Sequence, residues 1–245
     1  MLGLTILSPH YDDGAFSLSI ALSRWSKLPA QLTVANFFTR SQYAPHVLSK
    51  HLSPVSAIRR REDRLALSLI DRRIRVESLD LLDAPLRFGI SADAVCWPQT
   101  AALQTQAEIA SMAHCIRKYL RRGVVLAPLA LGDHVDHLAV RQAALASSFP
   151  SKLAFYEDLP YAIWTSKSTL CLKLREVERS IRTTLRPAIV CSRLFTPAHK
   201  RQVITKYASQ IGSDIVTAIV QYASNYGGGE RVWIPTNSAR WKLLI

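Results

Sequence analysis

Two short stretches of this 245-residue chain concentrate side chains that ligate metals and move protons: Pro9-His10-Tyr11-Asp12-Asp13, and His134-Val135-Asp136-His137 well past the middle. Each has a plain structural reading by itself, because His and Asp at a turn bond to nearby backbone and Asp caps helices. Together they offer three imidazoles and several carboxylates. A catalytic zinc site needs three protein ligands of His and carboxylate type and a position left for water, and two imidazoles with one carboxylate from this pool satisfy that. Such an ion brings the pKa of a water toward about 7 and polarises a carbonyl, while a neighbouring carboxylate takes the proton. One Asp for binding and one for proton transfer would account for the adjacency of Asp12 and Asp13.

For the two clusters to meet, the elements that carry them must end side by side. Leu2 to Ser8 is a short apolar run rich in β-formers, and it stops at the first cluster. From Gly14 the period changes, with Ala15, Leu18, Leu22 and Trp25 at the three- and four-residue spacing of a core-facing helix. Leu32 to Phe38 is strand-like again, which predicts a βαβ unit and a parallel sheet with right-handed crossovers. The alternation predicts further a Ser56-capped helix to about Ile70, a strand at Ile74 to Leu79, and a long helix carrying Ile109, Met112, Ala113, Ile116 and Leu120. The run from Val124 to Leu129 reads as a buried strand ending at the second cluster, and Leu138 to Ala146 as a helix. Both clusters thus follow the carboxyl end of a strand, where ligands bind in open α/β sheets. Beyond about Phe155, Ser168 to Leu172 reads as a strand and Pro197 to Gln210 as a helix. This stretch, 155–245, is expected to be the C-terminal flank of a single domain spanning 1–245.

Pro9-His10-Tyr11-Asp12-Asp13-Gly14 resembles the P-H-P-D-D-E motif of the LmbE-like (PIG-L) deacetylases, and His134-Val135-Asp136-His137 resembles their H-x-D-H motif. Weaker similarities are Arg59-Arg60-Arg61-Glu62 and the stretch from Lys200 through Tyr207 and Ser209 to Gln210. The resemblance implies a Rossmann-like three-layer α/β fold with a mainly parallel sheet and an active site at the C-terminal ends of the strands. It also implies removal of acetyl from an N-acetylglucosamine-type sugar or glycoconjugate with one divalent metal ion, zinc or alternatively ferrous iron. Carried over position by position, it makes His10, Asp13 and His137 the metal ligands and Asp12 the general base. His134 would stabilise the oxyanion or protonate the leaving amine, Asp136 would orient a histidine from behind, and Arg59 would contact substrate hydroxyls. Tyr11 stands where the family has Pro, and Gly14 where it has Glu. Neither removes a ligand, but both reshape the pocket beside the first helix.

Composition narrows the alternatives. Hydrophobic residues make up 49% of the chain, enough for a substantial core, and no repeat or low-complexity tract is present. The N-terminal apolar run is too short for a signal peptide and nothing approaches the ~18 apolar residues of a membrane span, so a cytoplasmic protein is expected. Cys96, Cys115, Cys171 and Cys191 form no C-x-x-C pair and are expected as small buried apolar residues. The formal net charge of +13 would draw anions. It fits an anionic substrate or, equally, solvated helix faces; with no nucleic-acid-binding motif beside it, no nucleic-acid partner is expected. His46, His51, His114 and His199 lack ligand-spaced neighbours, Glu62 reads as a salt-bridge partner or a ligand contact, and Trp25 and Trp97 as core or pocket wall. No oligomeric state follows from the sequence. Hydrolysis of another amide or a larger acyl group is the enzymatic alternative, and a non-enzymatic binder of anionic polymers is the alternative of another class.

Overall fold

The structure, a computed structural model, describes residues 2–244. Seven strands are β1 Leu2–Ser8, β2 Ala30–Asn36, β3 Arg75–Ser78, β4 Gly123–Pro128, β5 Leu153–Tyr156, β6 Leu185–Val190 and β7 Glu230–Pro235. They form one sheet in the order β3-β2-β1-β4-β5-β7-β6. The first five run parallel, and β7 pairs antiparallel with both β5 and β6. β4 is buried along its whole length, which is why it reads as an unbroken apolar run rather than an alternating one.

The helices are α1 Asp13–Trp25, α2 Leu52–Ile70, α3 Ala84–Phe88, α4 Pro98–Ala101, α5 Gln106–Arg122, α6 Val135–Leu145, α7 Lys167–Ile181, α8 Pro197–Ile204 and α9 Ser213–Ser224. α1, α2, α8 and α9 pack together, and α5, α6 and α7 form the other group. The chain leaves β1 outward to β2 and β3, then returns to β4 on the opposite side of β1. That reversal opens a crevice at the carboxyl ends of β1 and β4, and both polar clusters lie there.

Several boundaries differ from the sequence expectations. Ser168 to Leu172 is not a strand but lies inside α7, whose N-cap is Ser166. Its Leu170 and Leu174 belong to a helical stripe, and so short an apolar run carries no period of its own. The helix expected to reach Gln210 stops at Ile204, so Tyr207 lies on irregular chain and Ser209 and Gln210 on a turn. α2 begins at Leu52, one turn before Ser56, which bonds to Ser41 instead of capping. Cys171 and Cys191 are exposed.

α1 is broken at Leu18, where φ −135° and ψ 18° leave the helical region. A fully buried ion pair mends the break. Lys200 Nζ donates to the Phe16 carbonyl (2.5 Å) and to Glu230 Oε1 (2.5 Å), and Glu230 Oε2 accepts from Ala21 N (2.8 Å). The pair supplies an acceptor and a donor for the backbone groups that the kink leaves unmatched. Through it the C-terminal flank holds the helix on which the first cluster is mounted.

Candidate active site

The first cluster is a cross-tied turn between β1 and α1. Ser8 Oγ donates to the His10 carbonyl (2.5 Å) and accepts from Gly14 N (2.9 Å), while Asp13 Oδ2 accepts from His10 N (2.8 Å). Asp13 opens α1, where the helix dipole favours a negative charge. Tyr11, where the family motif has Pro, is buried, and its hydroxyl binds Ser78 on β3 (3.0 Å) and Arg60 on α2 (2.9 Å). A side chain on Gly14 would begin 3.3 Å from Val34 and 3.4 Å from Ser8 Oγ, so glycine suits the packing of α1 on β2. The second cluster enters α6, with His134 at the N-cap. Gly132 just before it is needed for space, since a Cβ there would lie 2.1 Å from the Tyr161 ring that packs against His137.

The crevice brings His10, Asp13 and His137 together with ligand atoms all within 4.8 Å of one another. His137 Nε2 lies 3.3 Å from Asp13 Oδ2 yet makes no hydrogen bond, although it is buried. His10 Nδ1 lies 3.2 Å from the same oxygen. Two imidazole nitrogens and a carboxylate oxygen converging around an unpartnered nitrogen suit a divalent cation. A second grouping, His10, His134 and Asp136, is equally compact. Most of its atoms are already engaged: His134 Nδ1 accepts from Asp136 N (3.1 Å), and Asp136 accepts from Ala84 N (3.0 Å), Arg87 Nη2 (2.5 Å) and His10 Nε2 (3.0 Å).

Each of the two central imidazoles is backed by a carboxylate on its far side. Asp136 stands behind His10, and Asp158, 2.8 Å from His137 Nδ1, stands behind His137. Such pairs fix the tautomer and aim the free nitrogen at a metal. Burial lowers imidazole pKa values, but the flanking carboxylates outweigh it here, raising His10 to about 9 and His137 to about 10. Asp13 moves the other way: burial opposes its ionisation, and the two histidines hold it well below the usual carboxylate range. His134 is pushed well below 6.5 by burial and by the neighbouring His10, so it is neutral. With Nδ1 accepting from backbone, its proton sits on Nε2. Asp12 adjoins the set, raised by burial against the opposing pull of Arg59, whose Nη2 lies 3.5 Å away.

These groups line an open cavity of about 220 Å³ together with Tyr43, Arg59, Asp83, Asp93, Tyr161 and Gln210. Arg59 is buried, in contrast to the solvated face that three consecutive arginines suggest. Its neighbour Arg60 reaches Tyr11 and Asp80 at the surface. Glu62 forms no salt bridge among the described residues; it accepts from Ser209 N and Oγ at 2.8 and 2.6 Å. Trp25 is core, and Trp97 is half exposed. Sequence reasoning missed Arg87, Asp93, Asp158 and Tyr161. For Asp158 a signal existed: Glu157-Asp158 follows the apolar run Leu153–Tyr156 at a strand's carboxyl end, the same placement as the two clusters.

A family model described as PIG-L, GlcNAc-PI de-N-acetylase, matches residues 5–148. A 2'-N-acetylparomamine deacetylase of Streptomyces fradiae is 37% identical over 164 residues, which are 65% of this chain and 58% of that protein. Among solved structures, a deacetylase of the teicoplanin biosynthesis pathway aligns with TM-score 0.73 at 20% identity, covering 97% of this chain and all of that one. The zinc-inhibited form of the teicoplanin deacetylase Orf2 aligns with TM-score 0.70 at 21% identity, covering 97% and 100%. At these identities the structural likeness establishes the α/β fold.

Proposed function

This chain belongs to the PIG-L family, and on that premise we propose that it is a metal-dependent hydrolase that removes acetyl from the amino group of an N-acetylated aminosugar or its glycoconjugate. The observation that carries the reading is the convergence of His10, Asp13 and His137 on an unpartnered nitrogen, with Asp12 beside them. The Streptomyces relative, named for an acetylated aminosugar, supports the substrate class.

His10, Asp13 and His137 would hold one divalent ion. The chemistry it supplies when bound is polarisation of the amide carbonyl and acidification of a water. Asp12, kept basic by burial, takes the proton of the attacking water. His134 donates its Nε2–H to the oxygen that gains charge as the tetrahedral centre forms, a role for a neutral imidazole of fixed tautomer. Asp12 then returns the proton to the departing nitrogen, which leaves as the free amine while the acyl carbon leaves as acetate. Arg59, on the cavity wall and 3.5 Å from Asp12, would contact sugar hydroxyls and steady Asp12. Tyr161 packs against His137 and shields that side from water.

Zinc suits two imidazoles and a carboxylate, and ferrous iron accepts the same set. Because zinc inhibits the teicoplanin deacetylase in one of its structures, the ion should be added in steps up to one per chain. The test is release of free amine from N-acetylglucosamine derivatives and acetylated aminoglycosides with zinc and with ferrous iron. Amine release that Asp12→Asn suppresses without loss of metal supports the reading; no amine from any of these compounds with either metal refutes it.

A further inference from the structure

The cavity has the opposite charge balance from the chain as a whole. The sequence carries +13, yet apart from the metal-site residues the acidic and basic residues lining the cavity are Asp12, Asp83 and Asp93 against one arginine, Arg59. Arg59 already meets Asp12, Ser41 Oγ (3.0 Å) and the Tyr43 carbonyl. Asp83 caps α3 by accepting from Leu86 N.

Asp93 and Gln210 offer free acceptors to a ligand. Asp93 is exposed on the cavity wall and makes no hydrogen bond or ion pair among the described residues. Gln210 is 94% buried, and its orientation is fixed by a relay. Glu62 takes both the N–H and the O–H of Ser209, so Ser209 Oγ accepts from Gln210 Nε2 (2.5 Å) and Oε1 is left as an acceptor without a partner. Buried acceptors in native proteins have donors, so an orphan on a cavity wall marks a place where a ligand brings one.

At about 220 Å³ the cavity falls below the roughly 300–1,000 Å³ of sites for drug-sized ligands, which is room for one sugar ring with the rest of the molecule at the rim. On the deacetylase reading above, we propose that the substrate keeps a free, protonated amino group besides the amide that is hydrolysed. Asp93 holds that ammonium at the rim, while Gln210 Oε1 accepts a hydroxyl of the bound ring. On this proposal the substrate is a cation rather than an anion. A phosphate or carboxylate would face Asp12, Asp83 and Asp93, opposed by Arg59 alone, which is itself paired with Asp12. The basic exterior does not prevent this, because its field decays over a Debye length of about 8 Å at physiological salt.

The experiment compares two substrates of the full chain loaded with one divalent ion: neutral N-acetylglucosamine, and an aminocyclitol glycoside acetylated on one nitrogen with its other amines free. Asp93→Asn should raise KM for the cationic compound by about 2- to 5-fold, the range of an exposed ion pair, and leave its kcat and the neutral compound unchanged. High salt should erase the difference in the wild-type chain. Gln210→Leu should raise KM for both compounds. Equal effects of Asp93→Asn on the two compounds, or none on either, overturn the ammonium site; an unchanged KM in Gln210→Leu overturns the Gln210 assignment. Calorimetric titration with the same compounds reads the discrimination without turnover. Asp93-dependent binding without amine release would sink the deacetylase reading alone, and amine release without Asp93 dependence would sink this inference alone.

Discussion

The two histidines at the centre of the site do the same job but are held by different kinds of anchor. Behind His10 stands Asp136, itself fixed by one backbone N–H, from Ala84, and by the side chain of Arg87. Behind His137 stands Asp158, both of whose oxygens accept from the backbone N–H of Leu131 at 3.2 Å, just past the end of β4. The His10 arm therefore leans on a guanidinium from the short helix α3. The His137 arm is tied to the strand ends themselves. A backbone anchor survives any substitution of its donor residue except by proline; a side-chain anchor adds one more position at which the arm can be loosened.

The largest expected effects lie at the centre, where the arms meet. Asp13→Ala removes the oxygen shared by both histidines and should abolish metal binding and activity together. Asp12→Asn leaves that set intact, so metal content should be unchanged while kcat falls by about 10²–10⁴-fold, the usual worth of general-base assistance. Elemental analysis beside steady-state kinetics separates the two. Loss of metal in Asp12→Asn would show that Asp12 is a ligand instead.

Protons come next. In the metal-free chain both histidines hold protons well above their ordinary range, His10 to about 9 and His137 to about 10, so at pH 7 both are protonated. Coordination needs the unprotonated nitrogen. Metal binding should thus release up to two protons, and affinity should fall as pH falls, by as much as about a hundredfold per pH unit when both protons are displaced. Calorimetry in buffers of different ionisation enthalpy counts the protons. Metal uptake with no proton release at pH 7 would mean that the flanking carboxylates do not hold protons on the two rings.

Cutting the arms one at a time sharpens the contrast. Asp158→Asn and Asp136→Asn should each weaken metal binding by about 10–100-fold, as is usual for partners that aim a ligand. Competition with a chromophoric chelator measures both. An affinity unchanged in Asp158→Asn would mean that packing against Tyr161 alone orients His137.

The sequence made the centre of the site legible, with one support, Asp136, but not the others. His10, Asp12, Asp13, His134, Asp136 and His137 sit in two compact clusters at strand ends, and the apolar runs and helical periods that place those ends are strong local signals. Arg87, on the short helix α3, and Asp93, on a single 3-10 turn that borders the cavity, sit in elements too short to carry a period. Lys200 was visible as part of a motif, but its partner Glu230 lies 30 residues on, and the break in α1 that they mend leaves no trace in a regular apolar stripe. The antiparallel β6 and β7 were missed for a related reason. At an edge, β6 has its alternation broken by two consecutive exposed residues, Arg186 and Pro187, so no period of two stands out.

The smallest expected effect tests the comparison most directly, because it concerns only the extra position in the His10 arm. Arg87 lies between the rings of Phe38 and Phe88, 4.5 Å from each, and forks to Asp136 (2.5 Å), Gln104 (3.0 Å) and Glu108 (3.0 Å). A lysine there keeps the charge but not the planar fork or the stacking. If Asp136 needs only a nearby positive charge, Arg87→Lys should bind metal like the wild type and Arg87→Met should not. If it needs to be held in place, the two variants should behave alike. The geometry favours holding, since the guanidinium spans three acceptors that one ammonium cannot reach together. Both variants are therefore expected to weaken metal binding on the order of fivefold, the net worth of about one hydrogen bond, with the Ala84 N–H keeping the loss below that of Asp136→Asn. Adding Asp158→Asn should multiply the two losses, because the arms share no anchoring residue. A loss in Arg87→Met as large as in Asp136→Asn would show that the backbone bond to Ala84 holds nothing alone, and that the His10 arm is built entirely from side chains.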